Sequence, residues 1–357
     1  MTPLARLLAR RIALAGPLTV AEFMAEALGH PVHGYYKHRD PFGMAGDFTT
    51  APEISQMFGE LIGLWCLEVW REMGAPTPVL LVELGPGRGT LMADALRAAR
   101  IRPAFCEAVR LHLVETSPAL RQRQADALSA YKPVWLESLA ELPPGPLLLV
   151  ANEFFDALPV HQFVLGPEGW RERVVALDGE RLVFATAQPG PSVALLSRQQ
   201  REGPAAEVSP AAFGLMGEIA GRLAAHGGAA LIVDYGSSQS RPGESLQAVR
   251  RHRPVDPLAE PGEADLTAHV DFETLSRAAR EAGATVHGPL PQGEFLLRLG
   301  VTARAESLIA RATPEQARAI EAARRRLLDA REMGTLFKAL VLTGPSLPPP
   351  PGFAQLT

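Results

Sequence analysis

Cysteine is scarce in this chain, whose 357 residues include only Cys66 and Cys106. Two cysteines without a partner spacing exclude a disulfide framework and a zinc cluster, and they favour a reducing compartment. His30 and His33 have the spacing of metal ligands, but no acid or cysteine completes a site with them. We therefore expect no metal, and we expect a turn at this histidine pair that closes the preceding helix.

Lysine and an excess of positive charge are scarce as well. Lysine accounts for three of the 35 basic residues, and the formal net charge is −4. That balance argues against a protein held on nucleic acid by a broad cationic face. No run of 18 apolar residues is present, so no membrane span is predicted. The composition, 47% hydrophobic and 21% charged, excludes wholesale disorder.

Acidic residues are missing from the N-terminal segment MTPLARLLARRIALAG, which carries arginines and precedes the first acid, Glu22. An organelle presequence shares the arginines, but this segment lacks serine and continues into further helical pattern. It therefore predicts a first amphipathic helix. We expect a bacterial cytoplasmic protein, with the mitochondrial matrix as the alternative location.

Two stretches of the chain lack the alternation of strand and helix patterns that the remaining residues show. Residues 1–77 are predicted to be a helical N-terminal extension. Thr19 with Glu22, and Thr50 with Glu53, have capping-box spacing there, and the second box is expected to open a long helix. Residues 153–228 contain β-like runs and turn signals, which predict an inserted α+β segment that binds substrate or a partner. Residues 236–265, rich in Gly and Pro, predict a long loop.

The remaining residues, 78–152 and 229–345, alternate between strand and helix patterns. Short apolar runs with the character of strands buried on both faces of a parallel sheet occur at 79–85, 111–115, 146–152 and 229–236. Helical patterns lie between the early runs. This alternation predicts a doubly wound, Rossmann-like α/β sheet as the main domain.

The sharpest local feature is the sequence VELGPGRGT, a buried strand followed by a glycine-rich turn and a helix. Gly85, Gly87 and Gly89 allow the backbone to turn tightly and to approach a ligand without Cβ clashes. The free N–H groups at the start of the next helix favour partial negative charge. Glu115 ends the following strand, where a carboxylate can accept both hydroxyls of a ribose.

Two details favour S-adenosyl-L-methionine over a dinucleotide as the ligand of this turn. The pattern is G-x-G-x-G, so the third glycine stands one position earlier than in the dinucleotide fingerprint. Glu83 lies two residues before the first glycine, where an acid can orient a cationic amino-acid group and would repel a pyrophosphate. A nucleotide-dependent oxidoreductase that binds NAD stays open as the alternative.

The run 146–152 ends in Asn152, and Glu153 and two phenylalanines follow, a loose match to the substrate loop of enzymes that methylate nitrogen. The polar residue would accept N–H bonds, and a ring would pack on a planar group. The alternative is a turn cap followed by core aromatics. Glu153, Asp47, Asp156 and Asp271 occupy predicted loops or strand ends, where carboxylates could orient a guanidinium. Asp271 is more readily explained as the N-cap of the next helix.

Blocks spread over residues 30–340 resemble the MidA family. The glycine turn is shared by many methyltransferases, whereas GDFTTAPEIS and ANEFFDALP are far more specific. The resembling segments are HPVHGYY (30–36), GDFTTAPEISQMFGELIG (46–63), VELGPGRGTLMADALRA (82–98), ANEFFDALPVHQF (151–163), DYG (234–236), LTAHVDF (266–272), QGEFLLRLGV (292–301) and MGTLFKAL (333–340).

The resemblance implies a class I methyltransferase fold with a helical N-terminal extension and S-adenosyl-L-methionine as cofactor. Mitochondrial members of the family are assembly factors of respiratory complex I that form symmetric dimethylarginine on a core subunit. We therefore expect a protein-arginine methyltransferase whose partner is an arginine-bearing protein, with a complex I subunit as one candidate. The open alternatives are a donor-binding assembly factor without essential catalysis and methyl transfer to another nitrogen.

The resemblance also implies roles for individual residues by motif position. The residues expected to bind the cofactor are Glu83, Gly85, Gly87, Gly89, Glu115, Asn152 and Thr50. Those expected at the methyl-transfer step are Glu153, Asn152, Asp47 and Asp271. The segment that contains Asp47, Phe48, Thr50 and Pro52 would close over the donor or the target side chain.

Overall fold

The computed structural model describes residues 1–38 and 46–353 of the chain. As far as they are described, its residues form two compact units built from separate stretches of sequence. The first unit comprises Met1–Phe48, Phe155–Leu215 and Gln239–Leu275. The second unit comprises Thr49–Phe154, Met216–Ser238 and Ser276–Thr357.

In chain order the described α-helices are α1 (Pro3–Ala15), α2 (Val20–Gly29), α3 (Tyr35–His38), α4 (Ala51–Ile54), α5 (Gln56–Glu72), α6 (Thr90–Ala99), α7 (Pro103–Ala108), α8 (Pro118–Ala127), α9 (Pro210–His226), α10 (Phe272–Glu281), α11 (Gln292–Arg298), α12 (Val301–Ile309), α13 (Pro314–Leu328) and α14 (Met333–Leu336). The β-strands are β1 (Leu18–Thr19), β2 (Val79–Leu84), β3 (Val109–Val114), β4 (Val134–Leu136), β5 (Leu147–Asn152), β6 (His161–Gly166), β7 (Gly169–Asp178), β8 (Arg181–Ala187), β9 (Ala205–Val208), β10 (Gly228–Ser237), β11 (Gln247–Arg250), β12 (Arg253–Val255), β13 (Asp265–Thr267), β14 (Val270–Asp271), β15 (Thr285–Pro291) and β16 (Phe337–Thr343).

The two units differ from the predicted domain boundaries. The predicted helical extension is divided after Phe48, because α5 buries its apolar face in the core of the second unit. The predicted insertion is not one segment either, since residues 216–228 belong to the second unit. Residues 239–275, which were assigned to the sheet domain, belong to the first unit.

A mostly parallel sheet forms the centre of the second unit. Its strands lie in the order β15-β16-β10-β5-β2-β3-β4, and β16 is antiparallel to both of its neighbours while β10 to β4 run parallel. Every residue of β2 and β5 is buried, as expected of strands covered on both faces. The predicted Rossmann-like α/β fold is confirmed.

The direction in which the sheet grows reverses beside β2. From β2 the chain adds β3 and then β4 on one side, and it then returns to add β5 on the other. Ligands of open α/β sheets bind at the carboxyl ends of the strands at such a reversal. Because Leu84 pairs with both Val114 and Ala151, the residues that follow β2, β3 and β5 share one edge of the sheet.

The first unit contains two antiparallel sheets. In the larger one, β7 pairs with β1, β6 and β8, and β6 also pairs with β9. In the smaller one, β11 pairs with β12 and β13, so the prediction of a loop over 236–265 is wrong. The turn between β11 and β12 consists of Arg251 and His252, with φ of +50° and +59°. Asn or Gly normally occupies such a turn, so the sequence does not predict this hairpin.

The N-terminal helix prediction is confirmed, and the two capping predictions have different outcomes. Helix α1 buries Leu4, Ala5, Leu8 and Ile12. The capping box of Thr19 and Glu22 is present at the start of α2. The second box is absent: Thr50 makes no side-chain cap bond, and Ser55 caps the long helix α5 instead. Glu53 is unavailable as a cap because its carboxylate accepts bonds from Thr90 and Arg88, at 2.5 and 3.2 Å.

The two histidines that follow α2 form the expected turn. Nδ1 of His30 accepts the N–H groups of Val32 and His33, both at 3.1 Å. Among the described residues no group of His, Cys, Asp and Glu could hold a metal ion. No described helix is long and apolar enough to cross a membrane.

Helices α5 and α6 of the second unit approach closely at two glycines of α5. A Cβ atom on Gly63 would lie 2.2 Å from the carbonyl oxygen of Ala95, and one on Gly59 would lie 2.7 Å from Cβ of Asp94. The atoms nearest to an added Cβ at Gly63 are backbone atoms of Ala95, which cannot move aside as the end of a flexible side chain can. The crossing therefore depends on the missing side chain at position 63.

We expect Gly63→Ala to lower the free energy of unfolding by about 1–3 kcal/mol, the usual consequence of overpacking. Gly217→Ala is the matched control, because Gly217 lies in helix α9 with no atom within 4 Å of an added Cβ. It should raise stability by up to about 1 kcal/mol through helix propensity. Urea unfolding of the two variants measures both changes, and equal effects would contradict the close crossing.

Candidate functional site

The glycine-rich turn lies at the strand reversal, directly after β2. Gly85, Gly87 and Gly89 have φ values of +60°, +53° and +82°, a region that other residues rarely adopt. The amide of Gly85 donates to the carbonyl of Val114 at 3.0 Å, which ties the turn to the end of β3. Helix α6 begins after Gly89 without a side-chain cap, so its first N–H groups stay available to an anionic group.

The turn packs against the residues that follow β5. A Cβ atom on Gly85 would lie 2.7 Å from Cδ2 of Phe154. The φ of Gly85 and this ring together leave no room for a side chain at position 85. Phe154, two positions after Asn152, thus lies directly against the glycine turn.

Glu115 follows β3 and is buried at the same edge. Its Oε1 accepts the amide of Ser117 at 2.7 Å, and its Oε2 accepts Nε2 of Gln124 at 3.2 Å. The same Nε2 donates to the carbonyl oxygen of Gly87 at 2.7 Å. Gln124 thus joins the carboxylate predicted to bind a ribose to the glycine turn.

Glu83 is the acid that precedes the turn, and it is only 3% exposed. Its Oε2 is a buried acceptor without a hydrogen-bond partner among the described residues. Burial raises the pKa of Glu83 from 4.5 to about 8. A buried carboxylate without a partner is costly, and a cationic ligand at this position would relieve the cost.

Asn152 and Glu153 stand beside the turn at the end of β5. Nδ2 of Asn152 donates to Oε1 of Glu153 at 3.1 Å, and this oxygen also accepts the amide of Ala51 at 2.8 Å. The first of these bonds fixes the orientation of the amide group. The other amide atom, Oδ1 of Asn152, is buried and has no partner among the described residues. An N–H group of a ligand could complete it.

The backbone of Glu153 is strained, with φ of +50°. Its amide donates to the carbonyl of Val233 at 2.8 Å, and the next amide, of Phe154, donates to Oδ2 of Asp234 at 3.1 Å. Asp234 is fully buried and also accepts the amide of Tyr235 at 2.9 Å. Bonds to β10 therefore hold Glu153 in this conformation, which suits a functional residue better than a purely structural one.

The structure brings the predicted donor residues Glu83, Gly85, Gly87, Gly89, Glu115 and Asn152 to one sheet edge of the second unit, together with Glu153. Thr50, also in this unit, is buried at the N-cap position of α4. The first residue of α4, Ala51, donates its amide to Glu153. The two most specific sequence blocks, GDFTTAPEIS and ANEFFDALP, are thus connected by a hydrogen bond.

Asp47 lies in the first unit, where its contacts stabilise a turn. Its Oδ1 accepts the amide of Arg251 at 2.7 Å, and its carbonyl accepts the amide of His252 at 3.0 Å. Its Oδ2 accepts the hydroxyl of Tyr35 at 2.7 Å. These bonds hold the hairpin with two non-glycine residues at positive φ.

Asp271 also lies in the first unit and caps helix α10, as the alternative interpretation predicted. Its Oδ1 accepts the amide of Thr274 at 3.0 Å, and its Oδ2 accepts the hydroxyls of Thr274 and Ser240 at 3.0 and 2.6 Å. These bonds stabilise the start of α10. They give Asp271 a structural role that does not require a substrate.

The carboxyl group of Asp265, in the first unit, has a raised pKa. Burial, followed by the charge of Asp156, raises the pKa of Asp265 from 3.8 to about 7, and Asp47 contributes further. The hydroxyl of Tyr36 donates to Asp265 at 2.7 Å. Asp265 cannot be predicted from the sequence, because nothing in the pattern around β13 marks it as buried.

Two polar residues of the second unit were missed although the sequence contained a signal for each. Gln124 is four residues from both Leu120 and Leu128, so it falls on the buried stripe of α8. Asp234 ends the apolar run of β10, and an acid inside a fully buried strand requires partners. In both cases a polar residue occupies a position that the periodicity assigns to the core.

A family model of S-adenosyl-L-methionine-dependent methyltransferases matches residues 61–290 of the chain. The chain is 40% identical to the mitochondrial protein arginine methyltransferase NDUFAF7 homolog of Drosophila melanogaster, over 95% of this chain and 84% of that protein. It is 39% identical to the mitochondrial protein arginine methyltransferase NDUFAF7 of Homo sapiens, over 87% of this chain and 76% of that protein.

The fold has a close counterpart among solved structures. A COG1565 superfamily member from Burkholderia thailandensis, bound to S-adenosyl-homocysteine, has a TM-score of 0.84 and 29% identity, over 99% of this chain and 94% of that chain. S-adenosyl-homocysteine is the product left when S-adenosyl-L-methionine gives up its methyl group.

These similarities agree with the G-x-G-x-G turn and with the carboxylate that precedes it. The alternative of an NAD-dependent oxidoreductase is wrong, and the resemblance to the MidA family is confirmed. The chain belongs to the S-adenosyl-L-methionine-dependent methyltransferases of class I fold and uses S-adenosyl-L-methionine as its methyl donor.

Proposed function

We propose that this enzyme methylates an arginine guanidinium nitrogen of a protein. The proposal rests on Oδ1 of Asn152, a buried acceptor without a partner among the described residues, and on the carboxylate of Glu153 beside the same amide group. A carboxylate and an amide oxygen accept hydrogen bonds from N–H groups and favour positive charge. The names of the relatives, protein arginine methyltransferases, support arginine as the acceptor.

The residues around the turn fit the donor. Glu83 would hold its ammonium group, and the free N–H groups at the start of α6 would hold its carboxylate. Glu115 would accept the ribose hydroxyls, while Thr50, Gly85, Gly87 and Gly89 would line the site. When bound, S-adenosyl-L-methionine supplies a methyl group activated by its sulfonium.

Asn152 and Glu153 would hold the acceptor. Oδ1 of Asn152 would accept one guanidinium N–H, and the carboxylate of Glu153 would balance the positive charge. Transfer of the methyl group then depends on in-line positioning and on exclusion of water. For Asp47 and Asp271, the bonds described above support structural roles ahead of catalytic ones.

The first unit contains most of the predicted insertion, and we propose it as the part that binds the protein acceptor. The family resemblance makes a subunit of respiratory complex I the candidate. We propose a bacterial cytoplasmic location. The mitochondrial matrix is the alternative, because the curated relatives are mitochondrial proteins.

The raised pKa of Glu83, about 8, gives donor binding a pH dependence. Below pH 8 its carboxyl group is increasingly protonated, so it loses the charge that attracts the ammonium group. The ratio of wild-type affinity to Glu83→Gln affinity should fall as the pH decreases from 8 to 6, by up to about tenfold per unit. Calorimetric titration with S-adenosyl-L-methionine measures it, and a constant ratio would exclude this role.

Glu153→Gln tests the acceptor side. The amide oxygen of glutamine can still accept the bond from Ala51, so the backbone should keep its conformation while the negative charge is lost. We expect kcat to fall at least about tenfold, since charge complementarity in the transition state is lost, with donor affinity unchanged. Single-turnover methyl transfer measures this, and the exposed Glu107→Gln is the matched control. An unchanged rate would favour the assembly-factor alternative.

The acceptor itself is identified with labelled S-adenosyl-L-methionine. Lysate proteins are incubated with the wild-type enzyme or with Gly85→Val, then hydrolysed and separated as amino acids. Gly85→Val cannot keep the turn, because a side chain there meets Phe154 and a positive φ. Label in methylated arginine with the wild type alone supports the proposal. Label in another amino acid would overturn arginine as the acceptor, and donor binding without transfer would indicate an assembly role.

A further inference from the structure

Gln124 is a fully buried amide whose hydrogen-bonding capacity is used at three points. Its Oε1 accepts the indole N–H of Trp135 at 2.8 Å. Its Nε2 donates to the carbonyl oxygen of Gly87 at 2.7 Å and to Oε2 of Glu115 at 3.2 Å. One side chain therefore connects two parts of the donor site that are separate in sequence.

The orientation of this amide is determined by its partners. An indole N–H can only donate, so the oxygen of Gln124 must face Trp135. The two hydrogens of its NH₂ group then point to acceptors, a carbonyl and a carboxylate. The reverse orientation would place the amide oxygen against two other acceptors.

The carboxylate of Glu115 is fixed from both sides. Ser117 donates its amide to Oε1 at 2.7 Å, and Gln124 donates to Oε2. A carboxylate oxygen can accept more than one hydrogen bond. A carboxylate held in this way is preorganised to accept two neighbouring hydroxyl groups, and a freely rotating one is not.

We propose that Gln124 is a positioning residue for the ribose of the donor, acting on the ribose hydroxyls through the carboxylate of Glu115, while its bond to Gly87 holds its amide group in place. The inference rests on the proposed role of Glu115. It predicts that removing the NH₂ group weakens recognition of the ribose hydroxyls specifically. A role in folding alone would weaken all ligands of the site equally.

The test uses Gln124→Met, which keeps the length of the side chain and removes its hydrogen bonds. Gln122→Met, at an exposed position of the same helix, is the matched control. Calorimetry gives the dissociation constants of S-adenosyl-homocysteine and of its 2′,3′-dideoxy analogue for each protein. If Gln124→Met does not fold, Trp135→Phe is used instead. It keeps Gln124 and removes the hydrogen bond that orients its amide group, so it also tests whether that orientation matters for ribose recognition.

We expect Gln124→Met to lower the affinity for S-adenosyl-homocysteine at least about tenfold, which is the effect of losing a hydrogen bond to a charged group. The affinity of Gln124→Met for the dideoxy analogue should fall less than about threefold. Gln122→Met should bind both ligands as tightly as the wild type does. Equal weakening of the two ligands, or none, would overturn the inference.

Glu115→Gln separates this inference from the assignment on which it rests. If Glu115→Gln weakens the binding of S-adenosyl-homocysteine and not that of the analogue, Glu115 binds the ribose. The result for Gln124→Met then shows whether Gln124 positions Glu115. If Glu115→Gln affects both ligands equally, the ribose assignment fails and the inference fails with it. Neither result depends on which residue accepts the methyl group.

Discussion

The parallel pairing of β2 with β5 is the constraint on which the site depends. Because Leu84 lies opposite Ala151, the chain must turn at the same level after both strands. The ring of Phe154 then occupies the space that a side chain at position 85 would need, so that position is glycine. At the same edge Glu153 has a positive φ, and β10 stabilises this conformation through Val233 and Asp234. Sheet register thus determines where the two acceptor oxygens stand that have no partner among the described residues.

The two carboxylates that we propose to bind the donor differ in their hydrogen-bond partners. Glu115 is bonded on both oxygens by groups of its own unit, so its geometry is set before any ligand arrives. Glu83 keeps one oxygen without a partner among the described residues, and its raised pKa records the cost of burial without compensation. A rigid acceptor suits neutral hydroxyls, whose recognition depends on direction. A carboxylate that lacks compensation suits a cation, whose attraction depends on charge.

Sequence patterns predicted the sheet, its reversal and the glycine turn because each has a local cause: apolar runs of strand length, and glycines where φ is positive. They failed where a distant partner decides the outcome. Glu53 has the spacing of a cap, but Thr90 and Arg88 occupy its carboxylate. Arg251 and His252 form a turn that Asp47, some 200 positions earlier, stabilises. The predicted domain boundaries failed for the same reason, since α5 belongs with a sheet that follows it in sequence.

The contact between Gly85 and Phe154 has a consequence for how this sequence can diverge. A side chain at position 85 fits only if the ring at position 154 shrinks or moves, and that ring is attached directly to the strained Glu153. The two positions therefore constrain each other, and they join the glycine turn to the residues that follow β5. A substitution at either position has to be accommodated at the other, so the conformation of the glycine turn and the backbone of Glu153 can change only together.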